Sequence, residues 1–418
     1  MVPSLWKNRS FVALWLAQVA SNIGDQFYSI ALLWYLLQQT HSASLLSLIA
    51  IPDMVAGFLF YLVGGVLADR YSPRMLMMGA DLARLVLVAL VGSLVLLQFN
   101  SLLFFLAIQF LVGIFSTLFH PSKTVALKSL IAPEHLQQAN AILDTTFRTV
   151  RIAAPMTIGV LAAFLPLYLL FYFNAITYIL SALCIYYMKL THERDQALSS
   201  VKGFSPGQYM NDIRSAATEV LTNRYLLYVL IFSNMGFLVW QVCWSVGFPV
   251  LANQLGHGDA GFLGILIGFY GVGNLLGSLF MTRFRYQNHL LVMLVGWLFQ
   301  AVGFMSISFF SNHLYMVYLG ASVAGLGGPL IGIPSVTAIQ SYVSNQNIGK
   351  VFALNMLVFT LFGVLSSSMG ALWLGKWPVE LMFGVSGLYL LLSIVVSYFL
   401  GRQVWRKKQA QSYFSSGI

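Results

Sequence analysis

The chain has 418 residues, of which 59% are hydrophobic and 8% are charged, whereas soluble proteins carry about 25% charged residues. An integral membrane protein is therefore expected. The formal net charge of +10 does not indicate nucleic-acid binding, because the basic residues lie at the ends of apolar runs and not on one solvated face. Cys184 and Cys243 lie inside apolar segments without metal-type spacing, so neither a disulfide framework nor a metal site is predicted.

Twelve apolar runs are long enough to cross a bilayer, which takes about 20 helical residues. The first run is too long for a signal peptide and is expected to stay in the membrane. The sequence thus predicts an all-α integral membrane protein. Its predicted transmembrane helices span residues 11–37, 44–67, 75–98, 101–121, 138–163, 166–188, 225–251, 260–281, 290–310, 313–337, 350–373 and 379–401.

A long polar stretch separates the sixth run from the seventh. It predicts a six-helix N-terminal half at residues 1–188, a linker at 189–224, and a six-helix C-terminal half with a basic tail at 225–418. Within the linker, residues 211–221 are expected to form a short interfacial helix, with a plain linker as the alternative.

The basic residues predict the orientation. With the N-terminus inside, Lys123, Lys128 and nearly all other basic residues fall on inner loops or termini, and only Lys376 falls outside. Because basic loops stay in the cytoplasm, both termini are expected to be cytoplasmic. The predicted location is a bacterial-type cytoplasmic (inner) membrane.

The turn after the second run is short and charged, and reads GGVLADRYSPR. It resembles the loop that marks the major facilitator superfamily, whose usual form is G-x-L-A-D-R-x-G-R-[RK], although Ser72 and Pro73 replace a Gly and a basic residue. The resemblance implies two six-helix halves around a cavity that opens to either side in turn. It also implies that Asp69 lies against the N-terminus of the eleventh helix. A basic cytoplasmic turn without further purpose is the alternative. The matching residues include Gly65, Asp69, Arg70 and Arg74.

Further charged residues lie inside the helices of the first half. Asp81 and Arg84 are three residues apart, and Asp144 and Arg148 are four apart, with Arg151 one turn later. This spacing lets each acid neutralise a base on the same helix face. Together with the charged turn they are predicted to form a cytoplasmic ion-pair network that holds one conformation and breaks in the other. Static pairs that only offset their own burial are the alternative.

Asp25 and Asp53 are expected near the middle of the membrane, about 21 Å from the inner end and about 14 Å from the outer end of their helices. Neither has a basic residue within one helical turn. Because burial disfavours a charged carboxylate, each is predicted to exchange a proton or to bind a cation. The alternative is structural, with Asp25 following Gly24 and Asp53 following Pro52 as acceptors for local hydrogen bonds.

Polar and aromatic residues at similar depths suit a sizeable amphipathic ligand, cationic or neutral. A monomer whose partners are a small-molecule substrate, protons and the bilayer is expected, with no nucleic acid and no cofactor. The predicted substrate-cavity residues are Gln18, Asn22, Tyr28, Gln109, Asn234, Trp240, Gln241 and Trp244.

Three local patterns narrow the resemblance. AQVASNIGD, FHPSK and LIAPEHLQQANAI are similar to segments of macrolide and multidrug efflux exporters and of related siderophore exporters. The resemblance implies a proton-coupled exporter and not an enzyme. Gly113 stands where many drug/proton antiporters carry an arginine, which gives Asp25 more weight. Lysophospholipid transporters, ferroportin-type metal exporters and a membrane sensor without transport remain alternatives.

Overall fold

The structure is a computed structural model that describes residues 5–40, 50–99, 101–161, 165–190, 206–255, 260–373 and 377–415. These residues are almost wholly helical and include no β-strand. In chain order the α-helices are α1 (Arg9–Thr40), α2 (Ala50–Arg70), α3 (Pro73–Leu96), α4 (Leu102–Leu130), α5 (Leu136–Leu161), α6 (Leu167–Tyr187), α7 (Pro206–Thr222), α8 (Arg224–Asn234), α9 (Phe237–Val242), α10 (Phe248–Leu255), α11 (Ala260–Arg283), α12 (His289–Phe309), α13 (Leu314–Tyr342), α14 (Ile348–Trp373) and α15 (Val379–Ser415).

Ten segments in the described part of the chain are long and apolar enough to cross a membrane. They are α2, α3, α4, α6, the segment from α8 to α10, and each helix from α11 to α15. Helices α1 and α5 coincide with the first and fifth predicted spans, although neither is among the ten. The charged side chains of α5 lower its hydropathy. The all-α membrane fold is confirmed, and the count of twelve spans stays a prediction.

Helix α4 is longer than the sequence pattern predicted. It continues through Pro121 to Leu130, so the predicted placement of Lys123 and Lys128 on an inner loop is wrong. The helix continues because the residues after Pro121 include several good helix formers. The predicted outer position of Lys376 lies outside the described residues.

The seventh predicted span, residues 225–251, is not one continuous helix. Helix α8 ends at Asn234, a turn at Met235 and Gly236 follows, and a five-residue π-helical segment, Cys243–Gly247, separates α9 from α10. At the break, a methyl group added to Gly236 would lie 2.3 Å from the Trp297 ring. The close approach of this ring requires glycine there, and π-helical segments are frequent at functional sites.

The chain divides into two compact units. Unit 1 comprises Met1–Ala139, Leu143–Ala217 and Val343–Thr360, and unit 2 comprises Asn140–Ile142, Thr218–Tyr342 and Leu361–Ile418. The first part of α14 and the linker helix α7, up to Ala217, therefore belong to unit 1. The predicted boundaries at residues 188 and 224 stay a prediction.

Within unit 1, α1 packs on α6, α2 packs on α4, and α3 packs on both α4 and α6. A methyl group at Gly24 would lie 2.0 Å from the Thr177 hydroxyl, so only glycine lets α1 lie this close to α6. This close packing sets Asp25, the next residue, beside α6.

Within unit 2, α13 packs on α11 and α12, and α12 also packs on α15. The core is rich in aromatic side chains, among them Phe248, Trp297, Phe304 and Phe383, each no more than 2% exposed. The core of this unit is therefore rich in aromatic side chains.

Candidate functional site

The carboxylate of Asp69 caps the N-terminus of α14. Its Oδ1 accepts a hydrogen bond from the backbone N–H of Gly349 at 2.8 Å, and its Oδ2 accepts one from that of Lys350 at 2.9 Å. These N–H groups have no partner within the helix, and the positive end of the helix favours an acid. We call this contact the Asp69 cap. The geometry is the one that the resemblance implied.

A close approach of two glycines makes the Asp69 cap possible. A methyl group at Gly65 would lie 2.5 Å from the carbonyl oxygen of Gly349 and 2.6 Å from the Cβ of Ala353. Any larger residue at position 65 would push α2 away from α14. Gly65 therefore sets the distance over which Asp69 reaches its two donors.

The two arginines of the charged turn have different partners. Arg70 forms an ion pair with Asp212 of α7. Arg74 donates to the backbone carbonyl oxygen of Tyr186, and its guanidinium carbon lies 5.1 Å from the centroid of the Tyr186 ring. Both arginines thus fasten the turn to other elements of unit 1.

A second cluster lies deep inside unit 1 between α1, α3 and α6. Asp81 and Arg84 form an ion pair that is almost fully buried, at 0% and 4% side-chain exposure. The hydroxyl of Ser181 donates to Asp81 Oδ2 at 2.6 Å, and that of Tyr178 donates to Asp25 Oδ1 at 2.5 Å. We call these five residues the Asp25 cluster.

Arg84 connects the two acids of the Asp25 cluster. Its guanidinium carbon lies 4.6 Å from the centroid of the Tyr178 ring. Tyr178 is also the residue that donates a hydrogen bond to Asp25. The charges of Arg84 and Asp25 are close enough to interact. Asp25 therefore has a basic neighbour in space, although it has none within a turn of its own helix.

The predicted charge network is thus divided among several places. Asp81 and Arg84 lie in the Asp25 cluster, while Asp69, Arg70 and Arg74 lie at the ends of α2 and α3. Asp144 and Arg148 form a third, partly buried pair on α5, at 23% and 20% side-chain exposure, with 2.6 Å between Oδ2 and Nε. The side chain of Arg151 is exposed. Helical spacing identified both local pairs correctly, but it could not show which pairs lie together.

Asp53 faces α4 at a place where a side chain would not fit. A methyl group at Gly113 would lie 2.8 Å from Asp53 Oδ1. Gln109, one turn earlier, bonds Asp53 and accepts a hydrogen bond from the Tyr28 hydroxyl at 2.7 Å. Gly113 leaves room for Asp53, and an arginine at this position would displace it. The side chain of Asp53 is exposed.

Near the other end of α4, Lys123 donates to Gln18 Oε1 at 3.1 Å. Gln18 is buried, at 5% exposure, and Asn22, one turn on, is half-buried. Trp15 on the same helix donates its indole N–H to the Thr146 hydroxyl at 2.9 Å. The contacts of Trp15 and Gln18 tie α1 to α5 and α4, and Asn22 follows Gln18 one turn later on α1.

Unit 2 presents a row of aromatic rings. Phe237, Trp240 and Trp244 follow one another at helical spacing. The Trp240 ring stacks on both neighbours, at centroid distances of 4.9 and 5.8 Å. The Trp240 indole N–H donates to the Tyr270 hydroxyl at 2.7 Å, and Trp244 lies 5.1 Å from the same ring. We call these four residues the aromatic row.

Two other predicted cavity residues lie close to the aromatic row in the sequence. Gln241 is half-buried, and its backbone carbonyl oxygen accepts a hydrogen bond from the Ser245 hydroxyl at 2.8 Å. Asn234 is 2% exposed and donates to the carbonyl oxygen of Leu230 at 2.9 Å. Asn234 therefore helps to end α8 within the core of unit 2.

The sequence interpretation missed several polar residues at these sites. Tyr178 and Ser181 are three residues apart on α6, and this spacing within an apolar run was the signal that could have found them. Asp212 was an acid in the predicted interfacial helix, and Lys350 follows a glycine at the start of the eleventh span. Among the described residues, no group of three or more His, Cys, Asp and Glu side chains could hold a metal ion.

Comparison with known proteins identifies the family. Residues 4–414 match the family model described as transmembrane secretion effector. The chain is 26% identical to the uncharacterized MFS-type transporter YfiS of Bacillus subtilis, over 97% of this chain and 96% of that protein. It is 20% identical to macrolide efflux protein A of Streptococcus pyogenes, over 94% of this chain and 95% of that protein.

Solved structures show the same fold. The human organic anion transporter MFSD10 superposes with a TM-score of 0.75 at 16% identity, over 93% of this chain and 99% of that chain. A bacterial homologue of the iron transporter ferroportin, in an outward-facing state, superposes with a TM-score of 0.68 at 16% identity, over 93% of this chain and 98% of that chain. The resemblance that the charged turn carried is confirmed. The chain belongs to the transmembrane secretion effector family of major facilitator superfamily transporters.

Proposed function

We propose that this transporter is a proton-coupled exporter of bulky amphipathic small molecules that works by alternating access. It acts as a monomer in a bacterial-type cytoplasmic membrane, with both termini in the cytoplasm. Asp25 is the coupling carboxylate, the Asp69 cap holds the cytoplasmic end of unit 1 closed, and the aromatic row contacts the substrate.

The observation that carries the proposal is the charge balance of the Asp25 cluster. Asp25 and Asp81 face a single guanidinium, that of Arg84, so the cluster has one negative charge in excess when both acids are ionised. An uncompensated charge in a low-dielectric interior costs several kcal/mol. A proton on Asp25 removes this excess, and so does the arrival of a cation.

Tyr178 makes Asp25 the exchangeable acid of the two. Asp81 is held by an ion pair and by Ser181, so its charge is compensated in place. The side-chain hydrogen bond from Tyr178 to Asp25 comes from a neutral phenol, which stabilises a carboxylate less than an ion pair does. Water entering beside Asp25 would therefore change its protonation before that of Asp81.

The Asp69 cap supplies the conformational side of the cycle. Two N–H groups and the positive end of α14 hold the acid in place, so an opening of this end has to break both hydrogen bonds. Charge-assisted bonds of this kind are directional and are lost over about 1 Å. The cap can therefore hold a closed end and release it in one step.

The aromatic row supports a bulky amphipathic substrate. Phe237 and Tyr270 are buried, but Trp240 and Trp244 are only half-buried and leave apolar ring surface for a ligand. The interrupted helix that carries these two residues supplies backbone groups beside them. A relative that covers nearly the whole chain is named for macrolide efflux, and a macrolide is a bulky amphipathic molecule. Siderophores and lysophospholipids, the alternative substrates, are also sizeable molecules, so the same transport assay includes one of each.

The experiment is transport by purified protein in proteoliposomes, with erythromycin and ethidium as probes. An acidic lumen should drive accumulation of at least one probe, and nigericin, which collapses the pH gradient, should abolish it. Accumulation that ignores the gradient and follows only the probe concentration would show a uniporter. A catecholate siderophore and a lysophosphatidylethanolamine are assayed in parallel, and selective transport of either would replace the drug assignment.

A further inference from the structure

The linker helix α7 is joined to the Asp69 cap through one acid. Asp212 forms ion pairs with Arg70, the last residue of α2, and with Lys350, near the start of α14. The Lys350 ammonium lies 3.3 Å from Asp212 Oδ1. All three side chains are largely buried, at 13% exposure for Arg70, 21% for Asp212 and 7% for Lys350.

The two partners of Asp212 flank the Asp69 cap on both sides. Arg70 follows Asp69 directly in α2. Lys350 donates its backbone N–H to Asp69 Oδ2 at 2.9 Å while its ammonium contacts Asp212. Lys350 thus belongs to the cap through its main chain and to α7 through its side chain. A displacement of Asp212 acts on the cap through both neighbours.

Charge explains why an acid is needed at this place. Arg70 and Lys350 bring two positive charges to the N-terminus of α14, where the helix dipole is already positive. Asp69 supplies one negative charge, and Asp212 supplies the second. Because the side chains are only partly solvated, these charges are screened less than those on an open surface.

A second contact fixes α7 in the same orientation. The hydroxyl of Ser215 lies 3.3 Å from Asn347 Oδ1, and the Lys350 ammonium donates to the same oxygen at 2.8 Å. Ser215 is three residues after Asp212, so both lie on one face of α7. This face of α7 is therefore directed at the start of α14.

We propose that Asp212 is a positioning residue of the transport cycle. It fastens α7 to the Asp69 cap, so that the linker helix is released whenever the cap opens and is refastened when the cap closes. This inference rests on the proposed function for the existence of a cycle. The attachment itself is independent of the substrate and of the coupling ion.

A plain interfacial helix is the competing explanation, and it predicts different behaviour. Ala216 and Val220 of α7 are buried, at 0% and 5% exposure, and could hold the helix by apolar contact alone. In that case the removal of the charge on Asp212 would leave α7 in place. Apolar anchoring would also be insensitive to Asp69, whose partners lie on α14.

Spin labels on Tyr71 and Arg214, which are both exposed, report the distance between α7 and the charged turn in the full chain with both native cysteines replaced. Asp212→Asn should raise the population at longer distances several-fold. Asp212→Glu keeps the charge and should restore the short distance. Glu219→Gln removes an acid elsewhere on α7 and should match the parent.

Coupling to the Asp69 cap is tested by combining variants. Asp69→Asn should release α7 by itself, and the double variant with Asp212→Asn should release it no further than the stronger single variant. An unchanged distance in Asp212→Asn, or fully additive effects, would overturn the inference. If α7 responds as stated but parent proteoliposomes ignore the pH gradient, the attachment stands and only the proton coupling fails.

Discussion

The interiors of unit 1 and unit 2 are built from different chemistry. Unit 1 places a buried ion pair, Asp81 with Arg84, beside Asp25. In unit 2, the described core around Trp240 and Trp244 is aromatic, and polar atoms such as the Tyr270 hydroxyl bond to ring N–H groups. Under the proposed function this contrast is a division of labour, in which unit 1 carries the energy-coupling charges and unit 2 carries the substrate-binding surface.

The buried ion pair of unit 1 is expected to give the largest effect. Arg84→Ala leaves Asp81 as an unpaired buried charge, which costs about 3–5 kcal/mol. Arg148→Ala, on the more exposed pair with Asp144, should lower the stability less, by about 1 kcal/mol. Thermal unfolding in one detergent measures both. Equal losses, or a double variant Asp81→Asn with Arg84→Gln that is no more stable than Arg84→Ala, would contradict the compensated cluster.

The close approach of Gly65 to α14 at the Asp69 cap should give the second largest effect. Gly65→Ala places a methyl group against Gly349 and Ala353, and overpacking of this kind costs about 1–3 kcal/mol. The distance between labels on Tyr71 and Gln346 should lengthen. The control is Gly79→Ala, since a methyl group at Gly79 meets nothing within 4 Å. A parent-like distance in the Gly65 variant would show that this approach does not hold the end closed.

The aromatic row of unit 2 should give the smallest effect and one of a different kind. Trp240→Ala removes the ring that we propose contacts the substrate. An aromatic contact is worth about 0.5–1.5 kcal/mol, so KM should rise about 2- to 12-fold. The accumulation ratio that the pH gradient sustains should not change. Phe269→Ala is the matched control, since that ring stacks on Tyr318 at 4.8 Å outside the row. A lower accumulation ratio in Trp240→Ala would break the division of labour.

Local sequence patterns predicted most of the fold. Apolar runs of about 20 residues located the helices, and the spacing of Asp81 with Arg84 and of Asp144 with Arg148 located two ion pairs, because these signals depend on a single helix. The charged turn carried the family and the position of Asp69, because that contact follows from a known motif.

The contacts between helices could not be predicted from the sequence. Nothing in the pattern around Asp25 places Arg84 and Tyr178 beside it, since these residues come from three different helices. The break at Gly236 was missed because the residues on both sides of it are apolar and continue the helical pattern. Asp212 was missed as a functional residue because its partners lie far away in the chain.

The most direct test of the central claim is the Asp25→Asn variant in proteoliposomes, which keeps the size and hydrogen bonding of the side chain and removes its charge. Substrate exchange at equal pH should continue, and accumulation against a gradient, driven by an acidic lumen, should be lost. Asp53→Asn in unit 1 is measured beside it. Uphill accumulation in Asp25→Asn at the level of the parent would contradict the account, and its loss in Asp53→Asn alone would assign the coupling to Asp53.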